Sequence, residues 1–307
     1  MDLGFLNGVY YVKTESMLNE DDFNTLKRLE KNLFFKYLKT RDYGFGSKYV
    51  SLDKIIEQEL LNVRTEVEGF IDNKLLTNVF YLKTDLTNIK IVYKSVRYDT
   101  EIRSFDESGS FSKDALVQAF KYNNTNFIPI EIKPLIEKLI KINDFDTKIS
   151  LQQIERTTYE TYLELISKLK DKALKKILHD YLKWSITIQN LETFLKIKVQ
   201  SGSIERLQEA LIEDEIISVN TWGHLIDSSN KEVLEKLYVH FNKDVVTAIE
   251  DFLSTLDYSE VEKEMTQFFL EVIKKNSYDS NTYGPVIYYL YLKELEALKV
   301  RRMYYGK

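Results

Sequence analysis

Residues 159–181 read Tyr159-Glu160-Thr161-Tyr162-Leu163-Glu164-Leu165-Ile166-Ser167-Lys168-Leu169-Lys170-Asp171-Lys172-Ala173-Leu174-Lys175-Lys176-Ile177-Leu178-His179-Asp180-Tyr181. Apolar side chains at 159, 162, 163, 166, 169, 173, 174, 177, 178 and 181 recur at steps of three and four, so they share one face of a 3.6-residue helix. The stretch predicts one long amphipathic helix. The same spacing returns on both sides of it. It runs through Leu26, Leu29, Leu33 and Tyr37, then from Leu52 through Ile55, Ile56, Leu60, Val63, Val67 and Phe70 to Ile71. It returns at Val233, Leu237, Tyr238 and Phe241 and at Val261, Met265, Phe268, Val272 and Ile273. Only 10 Gly and 3 Pro punctuate 307 residues, too few for the tight turns of sheets and barrels, so the expected fold class is all-α. Helix starts are marked by Asn19 with Asp22 and by Ser259 with Glu262, where a short polar side chain can accept otherwise unpaired N–H groups.

Composition excludes several function classes. The formal net charge of −5 lacks the basic footprint of a nucleic-acid binder, and the absence of Cys removes disulfides, thiol catalysis and Cys-type metal sites. The opening residues Met1-Asp2-Leu3-Gly4 lack a basic-then-apolar signal pattern. The apolar run Val286-Ile287-Tyr288-Tyr289-Leu290-Tyr291-Leu292 stops at Lys293, well short of the roughly 20 residues that span a bilayer. A cytoplasmic location is therefore expected.

Two polar stretches read as linkers: Ser104 to Ser112, and Lys121 to Pro134 with Asn123, Asn124, Asn126 and Pro129. A third break falls at Ser201-Gly202-Ser203. They divide the chain into residues 1–103, 104–202 and 203–307, and each third closes on a similar text. The three are Asp85-Leu86-Thr87-Asn88-Ile89-Lys90, Thr187-Ile188-Gln189-Asn190-Leu191-Glu192 and Glu296-Ala297-Leu298-Lys299-Val300-Arg301. The spacings are 190 − 88 = 102 and 299 − 190 = 109, and Tyr-Leu-Lys leads in each time, at 81, 181 and 291. A threefold helical repeat is the organisation expected from this.

With those motifs in view, the chain resembles the central-stalk socket protein of rotary V-type and archaeal-type ATPases, known as the C-type subunit in prokaryotic complexes and the d-type in eukaryotic ones. The likeness is carried first by Val12-Lys13-Thr14-Glu15 through Asn19-Glu20-Asp21-Asp22-Phe23 and by Tyr37-Leu38-Lys39-Thr40-Arg41-Asp42-Tyr43-Gly44. It continues through Asp85, Asn88 and Lys90, through Asn190 and Lys196, and through Tyr283-Gly284-Pro285, Tyr289, Lys293-Glu294, Glu296 and Arg301. Thr187 stands where the family has Asp, and Lys196 where Arg is usual. The resemblance implies three pseudo-symmetric helical lobes forming a funnel-shaped socket, and a protein without a catalytic centre or cofactor. It also implies partners: the D- and F-type shaft subunits and the membrane-embedded proteolipid rotor ring, with the chain peripheral on the cytoplasmic face. A cytosolic helical-repeat scaffold for another protein complex shares the same composition and helix pattern.

Other groups have plainer readings. Asn in mid-helix competes with its own backbone, so the repeated Asn88 and Asn190 suggest side chains locked to fixed partners, with contact to a partner protein as the minority reading. His179, His224 and His240 lack metal-ligand spacing, and Asp144 with Asp146 lacks a calcium loop. Gly44-Phe45-Gly46-Ser47-Lys48 lacks the phosphate-loop spacing and reads as a turn, and no Gly-x-Ser-x-Gly elbow is present. Lys168, Lys170, Lys172, Lys175 and Lys176 form a basic helix surface, by default solvated, with docking to an acidic partner as the alternative.

Overall fold

The computed structural model describes residues 2–48, 51–142, 151–200, 202–279 and 281–306. Asp144 and Asp146 lie outside the described residues. The chain opens with α1 (Leu3–Glu15), α2 (Glu20–Arg28), α3 (Lys31–Thr40), α4 (Leu52–Phe70), α5 (Leu75–Phe80), α6 (Leu82–Tyr98), α7 (Lys113–Tyr122) and α8 (Lys133–Ile142). It continues with α9 (Leu151–Ser167), α10 (Lys172–Val199), α11 (Ile204–Ala210), α12 (Val219–Ile226), α13 (Asn230–Leu237), α14 (Lys243–Thr255), α15 (Ser259–Ser277) and α16 (Gly284–Tyr305). No strand occurs among the described residues, so the fold is all-α.

Two compact units form. The first takes residues 1–141 and 277–307, and the second takes 142–276. Both chain ends therefore belong to one unit, with α16 as its central helix. Buried residues on α16 include Val286, Ile287, Leu290, Tyr291, Ala297 and Val300, a broad face of the helix, while Leu298 and Arg302 are exposed. It meets α1 through Tyr10 and Tyr289, with ring centroids 5.2 Å apart. Ala297 and Val300 complete a core with Phe23, Leu26, Phe34, Leu38, Leu52, Ile55 and Ile56. The Gly44-Phe45-Gly46 stretch is a turn. Gly44 has φ +70° and lies so close to Ile55 that a Cβ would meet its carbonyl oxygen at 2.6 Å, so only glycine fits.

The second unit is built on α10, which is 28 residues long. Its buried aromatic residues meet neighbouring helices in Phe194–Trp222 (5.1 Å between ring centroids) and Tyr181–Phe269 (5.4 Å).

Three local expectations are corrected. Residues 159–181 are not one helix: α9 ends at Ser167 and α10 starts at Lys172. Asp171 Oδ1 accepts the Ala173 and Leu174 N–H groups at 2.9 and 3.0 Å, and this cap starts a new helix without any Gly or Pro. The apolar spacing carries across the break because the two helices fold back on each other and bury the same face. The Leu26-to-Tyr37 run is likewise split, between α2 and α3, at Leu29-Glu30. Ser259 is the first residue of α15, and Asp257 Oδ1 accepts its N–H and hydroxyl at 2.9 and 2.6 Å. The Asn19–Asp22 capping box forms in full.

Candidate functional site

The repeated texts lie on long helices, and in each unit they grip the segment that follows. Asn88 on α6 is fully buried. Its Nδ2 donates to the Asp106 carbonyl at 2.8 Å and its Oδ1 accepts the Asp106 N–H at 3.0 Å, so the amide pairs with a peptide group as a neighbouring strand would. One turn earlier, Asp85, also fully buried, accepts the Ser110 N–H on Oδ1. Burial pushes its carboxyl up to about 7, against the hydrogen bonds from Ser110 and the nearby Arg64 charge. Between these two contacts lies Gly109, where a Cβ would sit 2.6 Å from Asp85 Oδ1 and 3.0 Å from Asn88 Nδ2. Arg64 on α4 closes the other side, donating to the Ser108 carbonyl at 3.2 Å, to Asn78 Oδ1 at 3.0 Å and to Glu68 at 2.7 Å. The gripped segment leads to Ser112, whose hydroxyl caps α7.

The second unit repeats the device. Asn190 on α10, 1% exposed, donates to the Ile212 carbonyl at 2.8 Å and accepts the Ile212 N–H at 3.0 Å. At the place of Asp85 stands Thr187, whose hydroxyl donates to Asp214 Oδ1 at 2.9 Å. The carboxylate has moved from the helix to the segment, where Asp214 also accepts the Ile216 N–H at 2.8 Å and approaches Asn190 at 3.3 Å. Arg156 on α9 holds the same segment through the carbonyls of Gln208 (2.8 Å), Glu209 (3.0 Å) and Leu211 (2.8 Å). The segment leads to Ser218, which caps α12.

The C-terminal text does related work with charge. Glu296 on α16 accepts the Leu18 N–H at 2.7 Å, just before Asn19 caps α2. Its other oxygen meets Lys293, which also contacts Glu59 at 2.5 Å. Lys293 and Glu296 are buried. Burial alone would lower the Lys293 pKa, yet the two carboxylates beside it raise it above the ordinary value. This triad borders a polar cleft of about 650 Å³ that is also lined by Lys13, Arg41, Tyr43 and Glu66. Lys299 does not occupy the place of the two asparagines chemically: it reaches Glu20 at 2.6 Å and lies 3.9 Å over the Phe23 ring.

The remaining sequence-derived residues lie outside these grips. Glu294 is half-buried, and desolvation pushes its carboxyl up to about 7, with Lys83 opposing and Asp106 adding to the rise. Lys90 is half-buried on α6. Lys196 is exposed and pairs with Glu192 at 3.6 Å, and Arg301 reaches Asp53 at 3.2 Å on the surface. The expected linker 104–112 is corrected: it is part of the first unit, with Ser108 fully buried. Sequence reasoning missed Arg64, Arg156, Glu59, Gly109 and Asp214. Gly109 between two serines was the only one with a local signal, and that composition reads equally well as a flexible connection. Among the described residues no group of three or more His, Asp or Glu could hold a metal ion, and no helix is long and apolar enough to cross a membrane.

Comparison with known proteins bears on what this scaffold is. The family model described as ATP synthase (C/AC39) subunit matches residues 6–307. The chain belongs to this family. A C/AC39 relative, the C subunit of the A-type ATP synthase of Archaeoglobus fulgidus, is 24% identical over 326 aligned positions, covering 96% of this chain and 89% of the relative. The C/AC39 match spans both compact units and all three repeated texts, so the family includes the gripping helices rather than one part of the chain.

Proposed function

We propose that this chain is the non-catalytic socket of a V/A-type rotary ATPase, joining the D- and F-type shaft subunits to the proteolipid rotor ring. In this role it serves ATP-driven transport of H⁺ or Na⁺, or ATP synthesis. It sits peripherally on the cytoplasmic face, held there by the complex. The observation that carries the reading is the family match over residues 6–307. The buried grips support it, because a torque-bearing part must resist deformation, and side chains locked onto peptide groups in a close-packed interior do so.

Within that reading the three repeated texts mark three helical lobes of a funnel, at about residues 1–103, 104–202 and 203–307, a division with boundaries different from those of the two compact units. The long helix that closes each lobe holds a segment of the next, ahead of a capped short helix. The segment held by α16 is the N-terminal one at Leu18, so the repeat closes on the start of the chain.

The test is reconstitution. Vesicles carrying the complex without this protein should lose ATP-driven ion uptake, while the catalytic head keeps hydrolysing ATP. Normal uptake without it, or ATP turnover by the purified chain, would overturn the assignment.

A further inference from the structure

The basic surface noted in the sequence falls at one place in the second unit. Residues 168–171 join α9 to α10, and the two helices pack against each other, so Lys168, Lys170, Lys172, Lys175 and Lys176 gather at the tip of a helical hairpin. Within residues 167–176 the balance is five lysines to one acid, or +4, in a chain of net −5. That acid, Asp171, is committed to capping α10. Lys175 is committed as well, its Nζ donating to the Ser167 carbonyl at 2.6 Å across the turn.

The other four are exposed, and among the described residues none of them makes an ion pair. Lys133–Glu137, Glu192–Lys196 and Lys231–Glu235 pair at i, i+4 along helices. Glu164 and Asp180 stand at the same spacing from Lys168 and Lys176, yet these two lysines form no ion pair with them. The tip joins the negative end of the α9 dipole, met by Lys175 at the Ser167 carbonyl, to the positive end of α10, where Lys172 stands.

The surface has the chemistry of a diffuse anionic partner. It is made of lysine alone, whose hydrated point charge suits loosely placed phosphates, whereas paired recognition of carboxylates favours arginine. No exposed large apolar side chain occurs anywhere on α9 or α10 to anchor a protein interface. We propose that the α9–α10 hairpin tip docks on an anionic lipid surface, with Lys168, Lys170, Lys172 and Lys176 meeting headgroup phosphates. The proposal rests on the charge at the tip and not on the chain's place in a rotary motor.

Sedimentation of the full-length protein with vesicles tests it. Wild type should bind vesicles of equal phosphatidylcholine and phosphatidylglycerol but not phosphatidylcholine alone, and raised salt should release it. The variant Lys168→Gln/Lys170→Gln/Lys172→Gln/Lys176→Gln should bind several hundredfold more weakly, at about fivefold per lysine. Its circular dichroism should match wild type, since all four side chains point into solvent. Lys231→Gln/Lys236→Gln/Lys243→Gln/Lys275→Gln, which changes net charge equally, should retain binding. Absence of binding to the mixed vesicles, binding that survives the tip substitutions, or equal loss in the control variant would each overturn the proposal. If wild type ignores vesicles and the tip variant instead fails to enter the purified complex, the surface is a protein contact and the lipid assignment falls.

Discussion

Replacing the fully buried Asn88 by Leu strips partners from both the N–H and the C=O of the half-buried Asp106. Each orphaned group costs about 1–3 kcal/mol, so Asn88→Leu, and likewise Asn190→Leu, should lower the urea midpoint by an amount corresponding to about 2–6 kcal/mol. Asp85 adds a pH dependence. Its carboxyl holds a proton in the folded state up to about 7, against an ordinary value of 3.8, so the folded chain binds more protons than the unfolded one between those limits. Stability from this group is full below the lower limit and falls as pH rises to the upper, by at most about 1.4 kcal/mol per pH unit. Urea titrations from pH 4 to 8 should show that decline in wild type and a shallower one in Asp85→Asn, where Glu294, Glu296 and Glu107, also raised by burial, still contribute. The two asparagines were legible because Asn is a poor mid-helix residue and recurred in matching text. Arg64, Arg156 and Asp214 were not, since a charged residue on a helix or in a loop gives no sign in sequence of being turned inward to hold a carbonyl or hydroxyl.

A segment rich in Ser, Gly and Asp suits a free connection and a tightly held one equally well, which is why 104–112 read as a linker. What separates them is the approach of another backbone or side chain, and sequence does not display that. Gly109→Ala should therefore destabilise by about 1–3 kcal/mol, because its Cβ would strike Asp85 and Asn88, each held by its own hydrogen bonds. Gly8, on an exposed face of α1 with nothing within 4 Å of the added atom, is the counterpart: Gly8→Ala should stabilise by about 0.5–1 kcal/mol. Thermal unfolding of the two variants should move in opposite directions. The α9–α10 break shows the same limit from the other side. Helical periodicity continues unbroken across Ser167 to Lys172 because both helices bury one shared face, and only the cap at Asp171 marks the turn.

At the scale of the whole chain, the all-α class was set by scarce Gly and Pro together with helical spacing almost throughout. The two compact units were not legible, because α16 joins the N-terminal helices through contacts separated by more than 240 residues, such as Leu18 to Glu296. The second unit is one continuous stretch, residues 142–276, with its own buried aromatic residues and its own grip. Expressed alone, that stretch should be helical by circular dichroism and unfold cooperatively. A chain ending at residue 276 should keep that transition and lose a second one, since the core formed by Phe23, Leu26 and Phe34 would lack Ala297 and Val300. Calorimetry of the two truncations alongside the full chain checks both outcomes.

The position of α16 also sets an order of events during synthesis. A ribosome releases the second unit whole, but the helices of the first unit emerge long before the one they pack against. At about 5–20 residues per second, translating the 276 − 142 + 1 = 135 residues of the second unit occupies roughly 7–27 s. Throughout that interval the nascent apolar faces of α2, α3 and α4 have no α16 to close on. Helix α16, made only after the whole second unit, acts as the keystone, and the cell must shelter the open arch until it arrives.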